Sequence, residues 1–111
     1  MASKLTVRRG GIYLADLNPT RGSEINKTRP VLVVSRDEMN KHLETVVVCP
    51  LTTSLHPHWA SRVQVQCAGK AAEVAVDQIR TISKARLIRK LDKLSRQRQL
   101  MVAEMVRELY G

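Results

Sequence analysis

Four short polar runs carry the side chains that could do chemistry here. In GSEINKTRP, residues 22–30, Glu24 and Arg29 sit in one short polar run between a glycine and a proline. A guanidinium is a rigid fork of donors matched to phosphate oxygens, and Pro30 behind Arg29 fixes its base. Glu24 has two open roles, taking a proton or holding Arg29; a neighbouring arginine lowers a carboxylate's pKa, which favours orienting unless desolvation competes. In PLTTS, residues 50–54, Thr52, Thr53 and Ser54 offer hydroxyls that bond a phosphate or a sugar hydroxyl, although an alcohol is a poor base. In LHPHW, residues 55–59, His56 and His58 form an H-x-H beside Trp59. No Cys, Asp or Glu cluster stands near in sequence to complete a metal site. As an acid–base couple the histidines suit neutral pH, but contact with nucleic acid, with Trp59 stacking on a base, is the reading taken. In VDQIRTI, Asp77, Gln78 and Arg80 add a carboxylate, an amide able to read a base edge, and a cation.

The charge balance names the kind of partner. Nineteen Lys and Arg against ten Asp and Glu leave a formal charge of +9, which points to a polyanion, either nucleic acid or an acidic protein. From Arg80 to Arg98 stand Arg80, Lys84, Arg86, Arg89, Lys90, Lys93, Arg96 and Arg98, with Asp92 the one acid among them. Tyr13, Trp59 and Tyr110 are the only aromatic residues, too few for an extended base-stacking platform. Phosphate contacts and polar contacts to a few bases must carry recognition. No apolar stretch approaches the roughly 20 residues of a membrane span and the N-terminus lacks a signal-type apolar region, so a soluble, cytoplasmic protein is expected. Cys49 and Cys67 lie far apart without C-x-x-C spacing and read as plain thiols.

These runs need a scaffold, and 111 residues suffice for one domain, 1–111, with one core. GIYLADL reads as a first strand ended by Asn18-Pro19, and PVLVVS as a strand covered on both faces that Arg29 enters already extended. RDEMNKHLE suits a short helix. TVVVCPL is a strand with Pro50 at its end or on an edge, and SRVQVQC alternates, Val63 and Val65 opposite Arg62, Gln64 and Gln66. The Gly69-Lys70 turn leads to a further extended pair in AAEVAVDQIRTI. Leu94, Met101, Val102, Met105, Val106 and Leu109 share one face of a C-terminal helix, a core stripe with Ser95 as N-cap and Gly111 as its stop. The expected architecture is a strongly bent, mostly antiparallel sheet or barrel closed by that helix.

GGIYLADLNPTRGSEINKTRPVLVVS, VVVCPLTTS and VDQIRTISKARL resemble, in order and over nearly the whole chain, three blocks of the MazF/PemK toxins of bacterial toxin–antitoxin pairs. The resemblance implies an SH3-like barrel of the CcdB/PemK/MazF type, mainly β with a C-terminal helix. It also implies a homodimeric, ribosome-independent, sequence-specific endoribonuclease that cuts single-stranded mRNA through the 2′-hydroxyl without metal or other cofactor, and is held inactive by a cognate acidic antitoxin. The family's catalytic arginine and threonine map onto Arg29 and Thr52, with Glu24 beside them. Thr53, Ser54, His56, His58, Trp59, Asp77, Gln78 and Arg80 are then RNA contacts. Some members carry an arginine two residues before the aspartate, where this chain has Ala75, which shifts the chemistry away from Asp77 and toward Arg29 with Thr52. Two other readings use the same fold, a toxin that binds DNA gyrase and cleaves nothing, and a basic RNA-binding barrel.

Overall fold

A computed structural model describes residues 5–17 and 28–111. The strands are β1 (Gly11–Asp16), β2 (Thr28–Val33), β3 (Thr45–Thr52), β4 (Arg62–Cys67), β5 (Lys70–Ala75), β6 (Arg80–Ser83) and β7 (Leu87–Lys93); the helices are α1 (Asp37–His42) and α2 (Arg96–Tyr110). The seven strands form one antiparallel sheet in the order β4-β5-β3-β2-β1-β7, with β6 also paired to β3. It is a mostly β half-barrel with a C-terminal helix, the architecture the residue patterning and the family resemblance lead one to expect.

Strand alternation divides the apolar residues between two clusters on opposite faces. Ile12, Leu32, Cys49, Leu51, Val63, Val65 and Val74 pack with Val102 under α2. Tyr13, Ala15, Val31, Val33, Val46 and Val48 pack on the other face with Ile82 and Leu87, covered by Leu5, Val7 and Leu17. The continuous apolar run of β2 follows from this, since Val31, Leu32 and Val33 are each buried on their own side. The Tyr13 hydroxyl is satisfied within its cluster, donating to the Thr6 carbonyl at 2.9 Å and accepting from the Arg8 N–H at 3.0 Å.

Three sequence expectations change. Pro50 neither ends β3 nor sits on an edge, because the strand runs on to Thr52 in the middle of the sheet. It falls between the stretch of β3 paired with β6, Thr45–Val48, and the stretch paired with β5, Leu51–Thr52, so neither ladder needs its missing N–H. The hairpin turn after β4 is Ala68-Gly69, both at positive φ, with Lys70 already paired to Cys67. In α2, Ser95 is the N-cap, its hydroxyl accepting from the Arg98 N–H, and Gly111 closes the helix onto the Arg107 carbonyl. Leu94, buried, therefore precedes the helix, and of the expected stripe Val102 is buried while Met101 and Leu109 stay exposed. Among the described residues no helix is long and apolar enough to cross a membrane.

Candidate active site

The sheet places Thr52 in a row that crosses three neighbouring strands. Thr52 pairs with Glu73, and Glu73 pairs with Gln64. The β2–β3 pairing ends at Val31 and Pro50, and Arg29, two residues before Val31 on β2, lines a cleft with Thr52. Paired residues of antiparallel strands point to the same face, so Thr52, Glu73 and Gln64 stand side by side. Thr52 is the last residue of β3, and its hydroxyl accepts the Ser54 N–H at 3.0 Å, a turn that fixes the side chain where the strand becomes loop.

Two clefts meet at this row. One, of about 180 Å³, is lined by Arg29, Thr52, His56, Arg62, Ala75 and Gln78 among others. The other, of about 600 Å³, is lined by Arg29, Thr52, Thr53, Ser54, Ala68 and Lys70 among others. Arg29 and Thr52 thus form the ridge shared by both. Glu24 lies outside the described residues.

Behind the smaller cleft sits a polar network that the sequence reading missed. The Glu73 carboxylate is fully buried and accepts from the His56 N–H at 2.5 Å, Gln64 Nε2 at 2.8 Å and Arg62 Nη1 at 2.5 Å, with His56 Nδ1 at 3.2 Å. Burial pushes its pKa up, but the donors, led by the His56 N–H, outweigh this and hold it at about 2. Arg62, with 6% of its side chain exposed, donates through Nε to Asp77 at 2.9 Å and lies 4.6 Å from the centre of the Trp59 ring. The Arg62 hydrogen bond holds the Asp77 carboxyl below its usual range against some desolvation. Trp59 also stacks on His56, centroids 3.9 Å apart. The turn that joins them is closed by the Trp59 N–H on the His56 carbonyl at 3.0 Å.

Of the sequence-predicted residues, Arg29, Thr52, Thr53, Ser54, His56 and Gln78 line the two clefts. Asp77 and Trp59 join through Arg62 and His56; His58 is exposed, and Arg80 is exposed at the start of β6, outside both clefts. Ala75 is buried, and directly opposite it in the β4–β5 register stands Arg62, so a guanidinium reaches this end of the sheet from the adjacent strand. The basic run from Arg80 to Arg98 divides between β6, a single 3-10 turn (Lys84–Arg86), β7 and the start of α2. Within it Lys84 and Arg86 are anchored on the carbonyls of Asn40 and Asp16, while Arg89, Lys90 and Lys93 are exposed on β7, an edge strand. Both cysteines are free and buried, and burial pushes the Cys49 thiol up to about 12.

The chain is similar in sequence and in fold to known proteins. The chain is 36% identical over 101 residues to the endoribonuclease MazF of Staphylococcus epidermidis, spanning 86% of this chain and 84% of that protein. Its fold matches the Mycobacterium tuberculosis toxin MazF-mt6 with a TM-score of 0.75 at 27% identity, over 90% of this chain and 95% of that one. It also matches MazF in a MazE–MazF crystal structure from Deinococcus radiodurans with a TM-score of 0.84 at 22% identity, over 97% and 98% of the two chains. Residues 8–110 match the family described as the PemK-like, MazF-like toxin of type II toxin–antitoxin systems, and the chain belongs to that family.

Proposed function

We propose that this toxin is a ribosome-independent, sequence-specific endoribonuclease that cuts single-stranded mRNA by attack of a 2′-hydroxyl on the adjacent phosphate, without a metal. One observation carries the reading: Arg29 on β2 and Thr52 at the end of β3, neighbouring strands, line the same two clefts, so a guanidinium and a hydroxyl converge on one space. Arg29 holds the phosphate and meets the charge that gathers on it, and Thr52 bonds a phosphate oxygen or the 2′-hydroxyl. Thr53 and Ser54 on one side of this ridge and Gln78 on the other contact flanking nucleotides. Asp77 acts indirectly, through Arg62.

The protein works in the cytoplasm as a homodimer restrained by a cognate antitoxin. Its charge of +9 suits an acidic partner, and a related endoribonuclease from a mycobacterial species has been solved in complex with its cognate antitoxin. The test is incubation of the purified protein with a long unstructured RNA and a chelator, followed by mapping of the new ends. Cuts at a recurring short motif, leaving 2′,3′-cyclic phosphate and 5′-hydroxyl ends, are expected. Intact RNA beside folded protein would return the gyrase-binding or simple RNA-binding reading.

A further inference from the structure

The attacking 2′-hydroxyl needs a base, and an alcohol such as Thr52 is a poor one. We propose that His56 is that base and that Glu73, buried within the sheet, sets its tautomer. This rests on the reading of the cleft as RNA-cleaving. His56 lines the same cleft as Arg29 and Thr52. Its Nδ1 lies 3.2 Å from Glu73 Oε2, nearer than the competing donor Arg62 Nη1 at 3.4 Å, and an ionised carboxylate only accepts, so the hydrogen is assigned to Nδ1 and the lone pair to Nε2. Among the described residues nothing hydrogen-bonds Nε2. The ring is fixed twice, by Trp59 stacked on it and by its own backbone N–H bound to the same carboxylate.

The charged groups around the imidazole are Glu73 from β5, Arg62 from β4 with Nη1 3.4 Å from Nδ1, Asp77 behind Arg62, and Arg29 from β2 at the same cleft. Arg62 already balances the Glu73 charge at 2.5 Å, which leaves the carboxylate as an orienting group for the histidine, as in other sites where a carboxylate steadies a histidine base. In the step, the O2′–H bond breaks and its proton passes to Nε2 as O2′ bonds phosphorus. The P–O5′ bond breaks, and the departing O5′ takes a proton from water.

The test compares wild type with His56→Gln in single-turnover cleavage of an RNA oligonucleotide carrying a mapped cut site, and of the same oligonucleotide with sulfur replacing the bridging 5′-oxygen. A thiolate leaves without protonation, so sulfur compensates for loss of an acid and not for loss of a base. The variant keeps its backbone N–H on Glu73, together with the Arg62 and Gln64 bonds, so the fold is retained, which circular dichroism checks. Expected are rates slower by roughly 10² to 10³ on both substrates with KM little changed. A loss of less than a few-fold, a loss confined to KM, or recovery on the sulfur substrate would each overturn the proposal. If wild type cuts and the variant cuts equally, this inference alone fails; if wild type cuts no RNA, the reading beneath it fails as well.

Discussion

Replacing Glu73 by Gln tests the polar network directly, because one buried carboxylate takes donors from His56, Gln64 and Arg62 at once. A glutamine of the same shape keeps one acceptor oxygen but turns an amide NH₂ toward groups that are themselves donors, and leaves a guanidinium of which only 6% is exposed with Asp77 as its one carboxylate among the described residues. A carboxyl held at about 2 instead of 4.5 contributes about 3 kcal/mol at neutral pH. Breaking a buried pair by removing one member costs about 3 to 5 kcal/mol by general experience, so the two routes agree. The sign follows from the depressed pKa: the contribution is present above about pH 4.5 and is lost as pH falls toward 2. Urea unfolding of wild type and variant at several pH values measures it. Asp37 and Asp92 are also held low, but they titrate in both proteins and cancel in the difference. The gap should be several kcal/mol at pH 7 and should narrow between pH 4.5 and 2. A gap below about 0.5 kcal/mol at pH 7, or one that stays constant into acid, would refute the reasoning.

Arg29→Ala should slow RNA cleavage by roughly 10² to 10³ with an unchanged melting temperature, measured by single-turnover assay and calorimetry. Tyr13→Phe should cost about 1 to 3 kcal/mol in denaturant unfolding, because the Arg8 N–H loses its acceptor inside a packed cluster, and should leave cleavage intact. Ala68→Asn should raise the melting temperature by a few degrees, since Ala68 holds φ +51° in a two-residue hairpin turn where asparagine is the easier residue. Cys49 should resist alkylation in the native protein near neutral pH and react after unfolding, followed by mass spectrometry.

What the sequence made legible was local. The strands, Arg29 entering β2 extended, Ser95 as the cap of α2 and the Gly111 stop all rest on short-range preferences that the chain obeys. Long-range register was harder to see. Pro50 reads as a strand end unless one knows that β3 changes neighbour at that residue. Nothing local in KAAEVA marks Glu73 as buried, and its burial depends on Arg62, Gln64 and the His56 turn closing over it. A signal was nonetheless present: alternation sets Arg62 and Gln64 on one face, and a two-residue turn at Ala68-Gly69 brings Gln64 opposite Glu73. Composition showed the basic run but not that it divides among four elements, with Lys84 and Arg86 tied to backbone carbonyls.

The central claim is that the RNA's own 2′-hydroxyl attacks a phosphate held by Arg29 and Thr52. The most direct measurement is cleavage of an RNA with a single 2′-deoxy nucleotide on the 5′ side of the mapped cut, in the presence of chelator. The account predicts that this one substitution abolishes cutting there while the oligonucleotide still binds and inhibits competitively. Cutting of the substituted RNA at an unchanged rate would contradict it.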